Sequence, residues 1–236
     1  MSENIQTVVD WWPRLWDAIV VTLQLSVGGA IVAMIIAVVL GLASITKIGV
    51  LRIISRIIVE FFRGTSLVVQ LFWLFFVLPQ FGYQLEPLAC GILALGLNYG
   101  AYGAEVVRGS LNAVPEGQWE TTTALSMSWI TKMRRIIWPQ AWALMLPGLN
   151  NLMIMLIKGT ALALLIFLHD VTYMVDELRK DAGTLIAFGL GFLIYYVIAQ
   201  AFSAVLRYLE IRAQRRLGFR ASTKASTANA TAGAVA

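Results

Sequence analysis

The stretch ETTTALSMSWITKMRRIIWPQA, residues 120–141, interrupts a chain that is otherwise mostly apolar. It opens on Glu120 and three threonines, turns basic at Lys132, Arg134 and Arg135, and stops at Pro139. Just upstream, NAVPEGQWE carries Pro115 and Gly117 as turn punctuation. A carboxylate at Glu120 suits a helix start, where the first amides lack intrahelical partners and the dipole is positive. At about 3.6 residues per turn, Leu125, Trp129, Met133 and Ile136 share one face, with Glu120, Thr131, Arg134 and Arg135 roughly opposite. Pro139 predicts a helix boundary or kink nearby. Such a helix either lays its apolar side on lipid or offers it to a partner, and the period serves both.

The surroundings are those of a membrane protein. The chain is 59% hydrophobic and 13% charged, with a mean hydropathy of +0.76, whereas a soluble domain carries roughly 25% charged residues. Apolar runs near the bilayer-crossing length of about 20 residues predict five spans, at about 18–45, 57–78, 87–107, 144–168 and 185–206. Cations alternate between the connections. Lys47, Arg52 and Arg56 follow the first span; Arg108, Lys132, Arg134 and Arg135 follow the third; Arg207, Arg212, Arg215, Arg216, Arg220 and Lys224 follow the fifth. The connection PQFGYQLEP has none, and HDVTYMVDELRKDAGT offsets Arg179 and Lys180 with acids. Cation-rich loops stay in the cytoplasm, which puts the N-terminus outside and the C-terminus inside.

This divides the chain into an external segment, 1–17, a transmembrane domain, 18–210, with a long inner loop at about 108–143, and a basic tail, 211–236. Trp11, Trp12 and Trp16 predict an interfacial anchor ahead of the first span. The start lacks the basic region of a cleavable signal peptide, so the first span is the expected insertion signal. The tail, small and polar, predicts disorder. The single cysteine, Cys90, allows no internal disulfide, and the net charge of +5 records orientation rather than nucleic-acid binding.

No chemistry of bond breaking is visible. The chain has no GxxxxGK[ST] loop for phosphates, no HExxH, no GxSxG and no Cys/His cluster of metal spacing. Lone His169 reads as a solvated loop residue, since a metal site needs several converging ligands. A channel or an intramembrane enzyme is the rival from another class; an enzyme needs a converging nucleophile and base.

Read residue by residue, Glu120, Thr121, Thr122, Ser126, Ile136, Trp138 and Pro139 resemble the EAA motif of the membrane subunits of bacterial ABC importers. The usual motif has Ala-Ala after the Glu, Gly at the position of Ser126 and Leu at that of Trp138. Further stretches, EFFRGTSLVVQLFW, LNYGAYGAEVVRGSLNAVP and LPGLNNLMIMLIKGTALA, resemble the polar amino acid permeases, most closely those of ectoine and hydroxyectoine importers. The resemblance implies an all-α transmembrane, five-span type I importer permease fold with two short cytoplasmic coupling helices. It implies transport without catalysis on this chain. The expected partners are an ABC ATPase dimer holding ATP and Mg, a second permease subunit, and an extracytoplasmic solute-binding protein that delivers a small zwitterion, all at the inner membrane. Glutamine/glutamate-, histidine- and opine-type solutes are the alternatives. At the Ser126 position, Gly tolerates positive φ and Ser does not.

Polar residues within the spans mark candidate path positions, because charges in hydrocarbon usually face protein or a cavity. Arg63, Ser66 and Gln70, spaced i, i+3, i+7 in the second span, share a face. Glu60, one turn before Arg63, forms with it a structural ion pair or a gate. Asn98, Tyr102 and Glu105 follow the same spacing in the third span, with Glu105 a gate or packing residue. Asn150, Asn151 and Lys158 lie in the fourth. Asn and Tyr offer both donors and acceptors to a zwitterion, and the same amides equally serve interhelical bonds. Lys158 snorkels, bridges spans or meets solute. Cation-carrying permeases of this family often have an acid directly after the equivalent of Asn151; Leu152 stands here, which predicts a neutral zwitterion, since a buried cation needs a counter-charge.

Overall fold

The computed structural model describes residues 2–216, and every regular element among them is helical. In order these are α1 (Ser2–Ser44), α2 (Gly49–Gly64), α3 (Leu67–Phe72), α4 (Pro87–Asn112), α5 (Glu116–Ala124), α6 (Trp129–Lys132), α7 (Trp138–Gly159), α8 (Val171–Ala182) and α9 (Thr184–Arg216). Of the expected tail, 211–216 completes α9, and the remainder lies outside the described residues.

Helix α1 has 43 residues and runs on through Pro13. The expected separate segment 1–17 is therefore the first part of α1. At about 1.5 Å per residue it reaches about 65 Å, roughly twice the hydrocarbon thickness. One exposed apolar stripe, Val9, Trp12, Trp16, Val20, Val27, Ile31, Ile35 and Val39, follows it. Val20 to Val39 spans about 28 Å, matching the hydrocarbon core, so Trp12 and Trp16 reach the headgroup layer that indoles favour. Trp11 turns inward and its Nε1 donates to Asp181 at 3.1 Å. Behind it, Leu15 and Ala18 pack with Val171, Val175 and Leu178 of α8. Thus α8 is a strap across one end of the bundle. Its N-cap Asp170 is fully buried, accepting from the Tyr173 amide at 3.0 Å and the Tyr195 hydroxyl at 3.1 Å. Burial lifts its carboxyl above the usual range against those donors.

Helices α1 and α4 share the most extensive contact in the chain. Without a hydrophobic drive between helices in lipid, close backbone approach supplies the packing. At Gly96 a Cβ would stand 2.3 Å from Val32 Cγ1, and at Gly100 2.8 Å from Ile36 Cβ. By length and apolar content α1, the run from α6 through α7 and α9 qualify as crossings. The bent pair α2–α3 adds a fourth if it is one span. Helix α4 falls short of that apolar content, diluted by glycines, Asn98, Tyr102 and Glu105, and is sheathed by its neighbours, with Cys90, Ala94, Ala101, Val107 and Leu111 buried.

The second predicted span is not one helix. Gly49–Gly64 and Leu67–Phe81 meet at 100°, with Thr65 and Ser66 extended between them.

Candidate functional site

Breaking α2 at Gly64 strips its last carbonyls of their intrahelical donors. Side chains replace them. Thr65 Oγ1 donates to the Phe61 carbonyl at 2.9 Å. Gln70 Nε2 and Asn98 Nδ2 both donate to the Phe62 carbonyl, at 2.9 and 3.1 Å. The Tyr102 hydroxyl donates to the Arg63 carbonyl at 3.3 Å. Gln70 Nε2 also donates to Thr65 Oγ1 at 2.7 Å. Gln70 and Asn98 are buried, at 8% and 5% exposure, so both amides are committed to the helix end. The bend removes the shared face expected for Arg63, Ser66 and Gln70. Glu60 and Arg63 form no ion pair among the described residues; the Arg63 guanidinium instead lies over the Tyr102 ring, 5.3 Å from its centroid. Glu105 pairs with Arg108 on its own helix, Nη2 to Oε2 2.5 Å.

Helix α7 completes this wall. Gly159 abuts Tyr99 and Leu67, beside the break, and the Tyr99 hydroxyl donates to the Met155 carbonyl at 2.9 Å. One stripe of α7 is exposed: Leu144, Pro147, Asn151, Met155 and Lys158. Asn151 and Lys158 therefore share a bare face, as their spacing predicts. Asn150 does not join them; its Oδ1 is buried and has no partner. Leu152 points the other way, into an apolar cavity with Met153 and Leu156. The position after Asn151 is thus off the open face.

The polar stretch folds as a hairpin rather than the single amphipathic helix its periodicity predicts. Helix α5 begins at Glu116, so Glu120 is in its middle and exposed. The threonines back-bond to the preceding turn, Thr121 to Gly117 O at 2.6 Å and Thr122 to Trp119 O at 2.8 Å. Helix α5 ends as a Schellman turn: Ser126 N–H to Thr123 O, 2.9 Å, and Met127 N–H to Thr122 O, 3.1 Å. Ser126 sits at φ 52°, so the positive φ that glycine supplies in the usual motif is adopted here by serine. Ser128 then caps α6, accepting from the Thr131 amide at 3.4 Å. Ser126→Gly should stabilise the fold by ~1 kcal/mol, the cost of a Cβ in the left-handed region; thermal unfolding of the purified protein checks this, and a lowered midpoint contradicts it.

The tip of the hairpin is apolar and bare: Leu125, Trp129 and Ile130 are 67%, 57% and 72% exposed. Its base is the opposite. Met133, Ile137, Ala141 and Met145 pack with Val107, Leu111 and Val114 in a closed cluster, flanked by Ile136. Pro139 lies in the first turn of α7 after a π-turn, Met133–Ile137. The carbonyl acceptors at Phe62 and Arg63 are invisible to a side-chain reading; the only sequence signal was Gly64 followed by Thr65 and Ser66.

The sequence and the fold are similar to those of known proteins. Residues 29–215 match the family of binding-protein-dependent transport system inner membrane components. A probable amino-acid ABC transporter permease, y4tF of Sinorhizobium fredii, is 39% identical over 85% of this chain and 87% of its own length. The L-cystine transport system permease TcyB of Bacillus subtilis is 35% identical over 90% and 94%. A crystal structure of an amino acid ABC transporter with histidines superposes with a TM-score of 0.79 at 29% identity, covering 88% of this chain and 97% of that one. The MetNI methionine transporter in an inward-facing conformation shares the fold, with a TM-score of 0.69 at 18% identity over 84% and 97%. With the family match running from residue 29 to 215 and permeases of amino-acid ABC transporters among its relatives, this chain belongs to the binding-protein-dependent inner membrane components, as the permease subunit of an ABC importer.

Proposed function

We propose that this permease moves a small, electrically neutral zwitterion inward along the wall formed by the end of α2, Tyr102 and the bare stripe of α7. The observation that supports it is the charge inventory of that wall. Arg63, Asn151 and Lys158 stand open, while Glu105 is already bound to Arg108. A carboxylate finds cations and amide donors there; a second cationic group finds no free acid on α4 or α7, and Glu60 on α2 is offset by Arg63 one turn on. Asn98 and Gln70 hold the helix end, and the solute meets Asn151, Tyr102 and Lys158. Amino acids and ectoine-type compatible solutes both fit this description, and the relatives support the amino-acid class.

The hairpin tip is the docking surface for a separate ATPase subunit, which holds ATP and Mg. Three bare apolar side chains on a polar loop fit a protein groove. A second permease closes the path, and a solute-binding protein delivers from the outer side, where α8 and the N-terminal turns of α1 sit. This orientation keeps the cation-rich hairpin in the cytoplasm. In proteoliposomes holding the full assembly, ATP-dependent uptake of the best neutral zwitterion should exceed that of arginine by at least ~10-fold, a difference of about 1.4 kcal/mol in transition-state free energy. Equal rates contradict the neutral-solute reading, and conduction without ATP favours a channel.

A further inference from the structure

Helix α7 is built in two unlike halves. The first half, Ala141 to Leu146, is closed tightly against the hairpin base and the end of α4; Ile137, Ala141 and Met145 have no exposed surface. The second half borders an apolar cavity of about 140 Å³, walled by Ala30, Ala33 and Ala37 of α1 and by Leu152, Met153 and Leu156 of α7. The cavity is open on one side, and its lining is apolar apart from Tyr99, whose hydroxyl is committed to the Met155 carbonyl at 2.9 Å. Between the halves stands Pro147, which has no N–H to give the Ala143 carbonyl and so removes one rung of the helix. One turn on, Asn150 keeps a buried Oδ1 without a partner, an unfavourable arrangement that a native state holds only for a reason.

We propose that Pro147 is a joint: motion of the hairpin carries the first half of α7 rigidly, the second half swings into the cavity, and Asn150 finds its partner in that second arrangement. The closed cluster supplies the rigid arm, the missing rung the compliance, and the cavity the room. Small side chains on α1 and two flexible methionines nearby, Met34 and Met153, let the second arrangement pack. The joint rests on the coupled-transport reading, and Asn151 and Lys158 on the second half are what it would move.

The test uses the complete assembly in proteoliposomes, with Pro147→Ala, which restores the rung, and Ala30→Leu, which fills the cavity from α1 and leaves α7 untouched. Thermal midpoint, ATP hydrolysis and uptake are measured together. Both variants should melt at or above the parent temperature and hydrolyse ATP within about twofold of it. Uptake per ATP should fall at least ~10-fold. Parent-like uptake per ATP in both variants overturns the joint while leaving the transport reading intact. If Pro147→Ala does not assemble, Ala30→Leu decides alone. A parent assembly without ATP-dependent uptake takes down the transport reading and the joint with it.

Discussion

Glu120→Arg is expected to lower uptake per ATP hydrolysed by at least ~10-fold, the equivalent of about 1.4 kcal/mol, without moving the melting temperature. The carboxylate is exposed in the middle of α5 and forms no hydrogen bond or ion pair among the described residues. Reversing its charge therefore costs the isolated chain little, within about 0.5 kcal/mol for a surface site. Its neighbours say what it is for. It stands on the same hairpin as the bare Leu125, Trp129 and Ile130. A charge beside an apolar tip aligns that tip on a partner, and truncating a charged group at such an interface costs roughly 2–5 kcal/mol when the pair is buried. Glu120→Gln should fall between parent and reversal, because it keeps the shape and an acceptor and loses only the charge. The assembly is purified with its ATPase, and hydrolysis and uptake are measured in the same vesicles. Unchanged coupling in Glu120→Arg means that the hairpin does not dock through this face, and the lipid-lying alternative gains.

That result would also weigh two ways of reading the same stretch. Periodicity alone placed Leu125, Trp129, Met133 and Ile136 on one helical face; the motif placed a turn at Ser126. The turn is what forms, because the Ser126 and Met127 amides close the last carbonyls of α5 and Ser128 caps a new helix. A 3.6-residue period survives a broken helix whenever the two pieces stay short. Met133 and Ile137 go to the base, while Leu125 and Ile130 stay out.

The second span failed for the complementary reason. Its apolar residues run from Ile57 to Phe62 and again from Leu67 to Leu78, apart from Glu60 and Gln70, so composition reads the two runs as one crossing. The break is decided by what waits on α4. Asn98 and Tyr102 reach the freed carbonyls, and no pattern within α2 or α3 reports that. Legible beforehand were the all-helical membrane class and the shared face of Asn151 and Lys158; the motif marked the turn at Ser126, but the expectation that Ser does not tolerate positive φ was wrong, since Ser126 adopts it. The N-terminal segment was half legible. Trp12 and Trp16 face outward as amphipathic rings do, but the continuity of α1 through Pro13 depends on the cover α8 gives it.

Removing both donors to one carbonyl should have a larger effect than removing each separately would suggest. Asn98→Leu leaves the Phe62 carbonyl with Gln70, and Gln70→Leu leaves it with Asn98. Each single change should cost about 1 kcal/mol, within the range of interhelical bonds in membranes. Gln70→Leu sits at the low end, since it also removes a buried Oε1 that has no partner. The double variant strands the carbonyl where water does not reach, at a cost of several kcal/mol. Excess cost in the double-mutant cycle, at least ~1 kcal/mol beyond the sum, is the signature of a shared acceptor. Thermal unfolding of the detergent-solubilised assembly reads it, and solute binding is measured on the same samples. A different pattern would restore Asn98 to the solute path: Asn98→Leu that leaves the melting temperature unchanged and weakens solute binding at least ~10-fold, with strictly additive behaviour alongside Gln70→Leu. The clasp and the solute site predict opposite splits between stability and affinity because Asn98 is buried and the one hydrogen bond its amide makes among the described residues goes to the helix end.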